Sequence, residues 1–259
     1  MLPPADGQLQ RLPREFFSRP STQVGPDLLG CVLWHDSPAG LVAVRLTEVE
    51  AYQGESDPAS HAYRGKTARN AVMFGEPGHA YVYFTYGMHF CVNLVCQPEG
   101  KPEAVLIRAG EVIAGAGLAA ERRTAGQGGS GRTDRAGEAG PTVREIRTTA
   151  GTGRRVRELD LARGPARLCQ ALDIDRDLDG ADVCGPGSQL GIGPPPGPPA
   201  AVPAICTGPR VGISQAADRP WRYWLAGDDH VSVYRPAQPR IRTPRPVASG
   251  DSGDGTMHR

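Results

Sequence analysis

The run AYVYFTYGMHFCVNLVC at residues 80–96 gathers β-branched and aromatic side chains into two short blocks, 80–86 and 90–96, around a turn that begins at Gly87. Such side chains fit the pleated, half-buried surface of a sheet, so both blocks predict strands. GLVAVRLTEVEAY at 40–52 and AVLIRA at 104–109 have the same character and are bounded by glycine or proline. Four strands in succession, with few crossover helices, favour an antiparallel α+β sheet over a doubly wound one. Helices are expected over 20–29, 110–123 and 165–172, the last with Pro165 in its first turn.

Around this centre lies an excess of chain breakers. The 259 residues include 34 glycines and 25 prolines, about twice the usual share. They concentrate in three places. Residues 184–204 hold 12 Gly or Pro in 21 positions, which predicts an extended surface connector. Residues 122–157 carry nine arginines against three acids and eight glycines, a basic and flexible insertion. From Arg235 onward proline and arginine repeat without an apolar period, so 235–259 reads as a disordered tail. One domain over 1–234 accounts for the rest, with helices around a curved, largely antiparallel sheet and long irregular loops.

Several function classes drop out at this level. Twenty-nine basic and 28 acidic residues leave a net charge of +1, so a polyanion would have to meet a local patch. No apolar run is long enough to span a membrane and the N-terminus lacks a signal core, so a soluble, cytoplasmic protein is expected. Six cysteines without a C-x-x-C pair read as reduced, buried thiols, with neither zinc nor any other metal expected. GQGGSG at 126–131 matches G-x-G-x-x-G formally, but no strand precedes it and no helix follows, so dinucleotide binding is rejected.

Alternation adds a first geometric expectation. In 40–52 the residues Val42, Val44, Leu46, Glu48, Glu50 and Tyr52 share one face, so an apolar row ends in two carboxylates and a phenol. A carboxylate there is costly unless paired or used, which makes Glu50 a candidate site residue or else a plain ion-pair partner for an arginine. Tyr81, Tyr83 and Thr85 face one way and Val82, Phe84 and Tyr86 the other, so Tyr83 and Tyr86 should do different jobs. Half-buried packing is the ordinary alternative for such tyrosines.

The segments EAYxG, SHAxRG, TxRNxxMF, GxxYVYxxYGMxxCxN and VLIRA stand in this order between Glu50 and Ala109. Together with LPREFFSRPSTQVGPDLLG, ARGPARLCQAL and GPRVGISQAADRPWRYW, they resemble the alkyladenine (3-methyladenine) DNA glycosylases over nearly all of the chain outside the three loop segments. The resemblance implies a monofunctional base-excision repair enzyme that flips damaged purines (3-methyladenine, hypoxanthine or ethenoadenine type) from duplex DNA and hydrolyses the N-glycosidic bond. By position it makes Glu50 the general base and Arg108 the residue that places the attacking water beside it. Tyr52, His61 and Tyr83 would enclose the base, Asn93 would disfavour guanine, and backbone groups around Ala59 and His61 would read the purine edge. Tyr86 would be the wedge that fills the gap in the duplex. Arg64, Lys66, Arg69 and Asn70 would meet phosphates. No cofactor is implied, the partner is damaged double-stranded DNA, and the protein would act as a monomer, associated with the nucleoid if bacterial.

Two independent points bear on the chemistry. There are only two lysines, Lys66 and Lys101, and arginine cannot form the Schiff base that strand cleavage requires, which favours a water mechanism. A sugar hydrolase built on Glu48 and Glu50 is disfavoured, because two carboxylates on one strand that point the same way cannot flank a bond. A noncatalytic damage-sensing or DNA-bending protein is the remaining alternative.

Overall fold

The computed structural model describes residues 9–85, 87–125, 144–147, 155–195 and 203–237. In chain order the elements are α1 (Arg14–Phe17), α2 (Ser21–Asp27), β1 (Val32–Ser37), β2 (Gly40–Tyr52), β3 (Ala80–Thr85), β4 (His89–Cys96), β5 (Glu103–Ala114), α3 (Ala116–Ala125), β6 (Glu145–Arg147), β7 (Arg155–Arg157), α4 (Pro165–Leu172), β8 (Leu190–Gly193), β9 (Ile205–Gly208) and β10 (Arg222–Leu225). The main sheet runs β3-β4-β5-β2-β1-β8, with β10 pairing β2 and β9, and every pairing is antiparallel. The class is α+β, as the succession of strands predicts. No helix among the described residues is long and apolar enough to cross a membrane.

The core lies between the sheet and its helices. α4 shows why one helix forms where it does. Pro165 occupies its first turn, where a missing amide costs nothing, and Asp173 ends it in the left-handed conformation at φ 58°. Leu168, Cys169, Ala171 and Leu172 are all buried, the i, i+3, i+4 stripe that packs a helix on a sheet. All six cysteines are free, and four of them are buried. Burial pushes the Cys31 thiol up to about 12.

Three expectations need correction. The helix predicted over 110–123 starts only at Ala116, because β5 continues to Ala114 along its long pairing with β2. The glycine-rich connector is not all surface. Leu190–Gly193 is a buried strand on β1, and glycine is what permits it: a Cβ on Gly191 would overlap the Trp34 ring, and one on Gly193 the Gln10 carbonyl. The basic insertion contributes Arg122 and Arg123 to α3, and its described ends pair as β6 and β7. Its remaining residues 126–143 and 148–154, the motif at 126–131, and 238–259 of the tail lie outside the described residues.

The expected alternation in 40–52 also needs correction, and this shapes the site. Val42, Val44 and Leu46 belong to the core, as expected, but the row then switches to Val49 and Ala51. The pairing jumps from Leu46–Gly110 to Glu48–Ala109 and then to Val49–Ile107. Thr47 on β2 and Arg108 on β5 are therefore extra residues, two compensating bulges that reverse the alternation of both strands. Glu48, Glu50 and Tyr52 leave the core face for the opposite one, along with Arg108.

Candidate active site

The bulged face carries a cavity of about 330 Å³, of the size that takes a small molecule. Its floor comes from β3 and β4 through Tyr81, Tyr83, Thr85, Cys91 and Asn93, its rear from Tyr52, Leu106 and Arg108, and its rims from Ala59 to His61 and from Val211 to Ile213. The alternation in β3 holds: Tyr81 and Tyr83 face the cavity, whereas Val82 belongs to the core. Their rings stack at 5.5 Å and 24°, and His61 stands edge-on to Tyr83 at 4.5 Å and 82°. His61 Nδ1 lies 3.2 Å from the Tyr81 hydroxyl. Partial desolvation of the imidazole against these rings, and then the Arg69 charge, lower its pKa. Burial raises the phenol of Tyr83 well above its ordinary range, with Cys91 adding to it.

Behind this lining sit four charged side chains with almost no exposure. Glu48 and Glu50 are 0% exposed, Arg222 5% and Arg108 6%. Glu50 Oε2 accepts from the Tyr52 hydroxyl at 2.8 Å, and Oε1 accepts from the Val211 amide at 2.6 Å. Arg108 Nη1 stands 3.2 Å from the same Oε1. Glu48 takes Arg108 Nε at 2.9 Å, Arg222 Nε at 2.7 Å and the Ser232 amide at 2.7 Å. Burial alone would raise the Glu48 pKa, but Arg108, Arg222 and the Ser232 amide outweigh it and lower it. The two carboxylates are thus unequal: Glu48 is a saturated counterion, whereas Glu50 is tied to the residues that line the cavity. That excludes an arrangement with the two acids facing across a cleft.

The other predicted residues divide. Asn93 is 6% exposed in the β4 wall, its position paired with Tyr81 on one side and Leu106 on the other. The Ala59 amide is engaged by Asp57 Oδ1 at 3.2 Å and the His61 carbonyl by Asn70 at 2.9 Å. Arg64, Lys66 and Arg69 are exposed together, as a phosphate-facing patch requires. Asn70 does not join them. It is 2% exposed, and its amide accepts from Thr67 N and Oγ1 while donating to His61 O and Gly65 O, which uses its full capacity. Its position in the sequence misled because the side chain closes the loop instead of facing solvent. Tyr86 lies outside the described residues. Lys66 reaches toward the Phe74 ring at 5.9 Å, and no lysine lines the cavity.

Sequence reasoning missed Val211, Arg222 and Ser232, because two act through backbone amides and the third lies far along the chain. It also missed Asp57 and Arg210 beneath the rims. No group of three His, Cys, Asp or Glu side chains that could hold a metal ion occurs among the described residues.

Comparison with known proteins agrees with the motif order. The profile of the methylpurine-DNA glycosylase (MPG) family matches residues 15–229. A protein of Streptomyces avermitilis is 50% identical over 233 residues, covering 89% of this chain and 95% of the relative. One from Leifsonia xyli is 46% identical over 89% of this chain and 96% of the relative, and one from Methanocella arvoryzae 42% identical over 87% and 97%. All three carry 3-methyladenine DNA glycosylase in their names. On the extent of these matches, the chain belongs to the methylpurine-DNA glycosylase family.

Proposed function

We propose that the protein is a monofunctional DNA glycosylase that takes an alkylated or deaminated purine out of the duplex into the aromatic cavity and hydrolyses its N-glycosidic bond with a water activated by Glu50. The observation that carries this reading is the setting of Glu50. A fully buried carboxylate is joined by its two oxygens to Tyr52, Val211 and Arg108, each of which also lines the cavity. The water oxygen attacks C1′ and its proton passes to Glu50. The electron pair of the broken bond leaves with the purine, which a positive charge on an alkylated ring makes a good leaving group. Arg108, 3.2 Å from Glu50 Oε1, fixes where the water sits.

Tyr52, Tyr83 and His61 enclose the base, and aromatic faces favour electron-poor rings. Asn93 disfavours guanine through its amino group. The His61 amide and the Ala59 carbonyl, without a backbone or side-chain partner among the described residues, read the purine edge. Tyr86 fills the space the base leaves. Arg64, Lys66 and Arg69 hold phosphates of damaged double-stranded DNA, and the chain works as a monomer. The absence of a lysine from the cavity wall supports hydrolysis without strand cleavage.

Duplex oligonucleotides carrying 3-methyladenine, hypoxanthine or ethenoadenine, incubated with the protein and then treated with alkali, test the reading. Breaks at the lesion that need the alkali step support it. Binding without a break at any lesion would instead make this a noncatalytic damage sensor.

A further inference from the structure

Outside the Glu48–Glu50 cluster the most deeply buried cation among the described residues is Arg210, 1% exposed, and the reaction as described gives it no task. Its guanidinium forks onto Asp57, which is 0% exposed, with Nη1 donating to Oδ2 at 2.5 Å and Nη2 to Oδ1 at 2.9 Å. Nη1 also donates to the Ala51 carbonyl at 3.0 Å, and Nη2 reaches Ala216 O at 3.5 Å. The same cation lies 4.5 Å from the Tyr52 ring centre and 5.1 Å from that of Trp221. Asp57 in turn accepts from the Ala59 amide at 3.2 Å and the Gln53 amide at 3.3 Å.

One buried ion pair therefore touches three separate pieces of the cavity wall. These are the end of β2 with Glu50 and Tyr52, the turn that carries Ala59 and His61, and the loop whose Val211 amide holds Glu50 Oε1. Burial of two charges is a poor device for stability alone, since an apolar pair of similar volume serves as well or better. A planar fork with fixed donor directions does what an apolar contact cannot: it sets the segments in one register.

We propose that Arg210 and Asp57 are a positioning pair for glycosidic-bond hydrolysis, fixing the Val211 amide and the Tyr52 ring against Glu50 and the 57–61 turn against both. The role rests on the reading of Glu50 as general base. Misplacement of reacting groups by about 1 Å costs on the order of 100-fold in rate, so a loosened fork should slow chemistry far more than binding.

The test compares wild type with Asp57→Asn, Arg210→Lys and the double variant Arg210→Met/Asp57→Asn, which removes both charges at once. Single-turnover excision rate, lesion-duplex Kd and thermal midpoint are measured for each. The pair predicts excision slowed roughly 30- to 100-fold in folded variants, with Kd changed less than about threefold. Folded variants that excise at the wild-type rate would overturn the pair, as would a rate loss fully matched by lost binding. Should Asp57→Asn fail to fold, Arg210→Lys, which keeps the charge and loses only the fork, decides by the same criteria. A wild type that excises nothing would overturn the functional reading and the pair with it, whereas active wild type with unaffected variants overturns the pair alone.

Discussion

Arg108 Nη1 stands 3.2 Å from Glu50 Oε1 with neither residue more than 6% exposed, and it is there because Arg108 is the extra residue of a bulge in β5. Without that bulge the strand's alternation would not bring Arg108 to the carboxylate face. Burial opposes the Arg108 charge, yet Glu50 and Glu48 together raise its pKa. The four charges of Glu48, Glu50, Arg108 and Arg222 cancel, so the cluster tolerates its nearly dry setting as a unit but not in part.

Removing one member should therefore be severe. Arg108→Met leaves two buried carboxylates short of a partner and should destabilise the fold by about 3–5 kcal/mol. Arg108→Lys keeps the charge and should cost less than half of that. Urea denaturation followed by circular dichroism measures both, and equal losses would show that the charge is not what holds the cluster.

Stability should also fall in acid with a recognisable origin. Burial would raise the Asp228 pKa, but hydrogen bonds from His230 and Arg45 outweigh it and hold the carboxyl below its usual value of 3.8. A depressed acid stabilises the fold fully above its unfolded pKa and loses that contribution as pH falls through the folded one. Asp228→Asn should lower the thermal midpoint at pH 7 and flatten its decline below about pH 4. A variant with the same decline as wild type would place the acid sensitivity elsewhere.

Phosphate contacts should separate from loop closure. Replacing Arg64, Lys66 or Arg69 singly with Ala should reduce the slope of log K against log salt by about 1 for each true phosphate contact. Asn70→Ala should leave the slope unchanged and lower the thermal midpoint, since its four hydrogen bonds are internal. Fluorescence anisotropy across a salt series reads this directly, and a changed slope for Asn70→Ala would contradict its internal role.

Specificity should reside in the β4 wall. Asn93→Ala removes a nearly buried amide from the cavity and should raise excision of undamaged guanine relative to wild type by roughly tenfold. Guanine release from undamaged duplex, quantified by chromatography, provides the check. An unchanged ratio would put the discrimination at another residue.

The sequence made the framework legible wherever a local pattern carried the information. β-branched runs bounded by breakers located β2, β3 and β4, and Pro165 with its apolar stripe located α4. The bulges were not legible from alternation, which places Glu48 and Glu50 on the core row when they face away from it. The available signal was Gly110 inside a β-rich run, where a Cβ would overlap the Arg45 carbonyl; a strand glycine often marks such an irregularity. Tyr52, Tyr83, His61 and Asn93, which the family motifs picked out, line one cavity, three of them from β2, β3 and β4 and His61 from the adjoining turn. Asp57, Arg210 and the Val211 amide were not, since more than 150 residues separate the partners and no spacing rule connects them.

The most direct measurement of the central claim sets wild type beside Glu50→Gln in single-turnover excision from one lesion-bearing duplex, with Kd measured for both. The account predicts that Glu50→Gln binds within a few-fold of wild type and excises slower by about 10²–10⁴. Excision by Glu50→Gln at the wild-type rate would contradict it, because the buried carboxylate between Tyr52, Val211 and Arg108 would then not be the base.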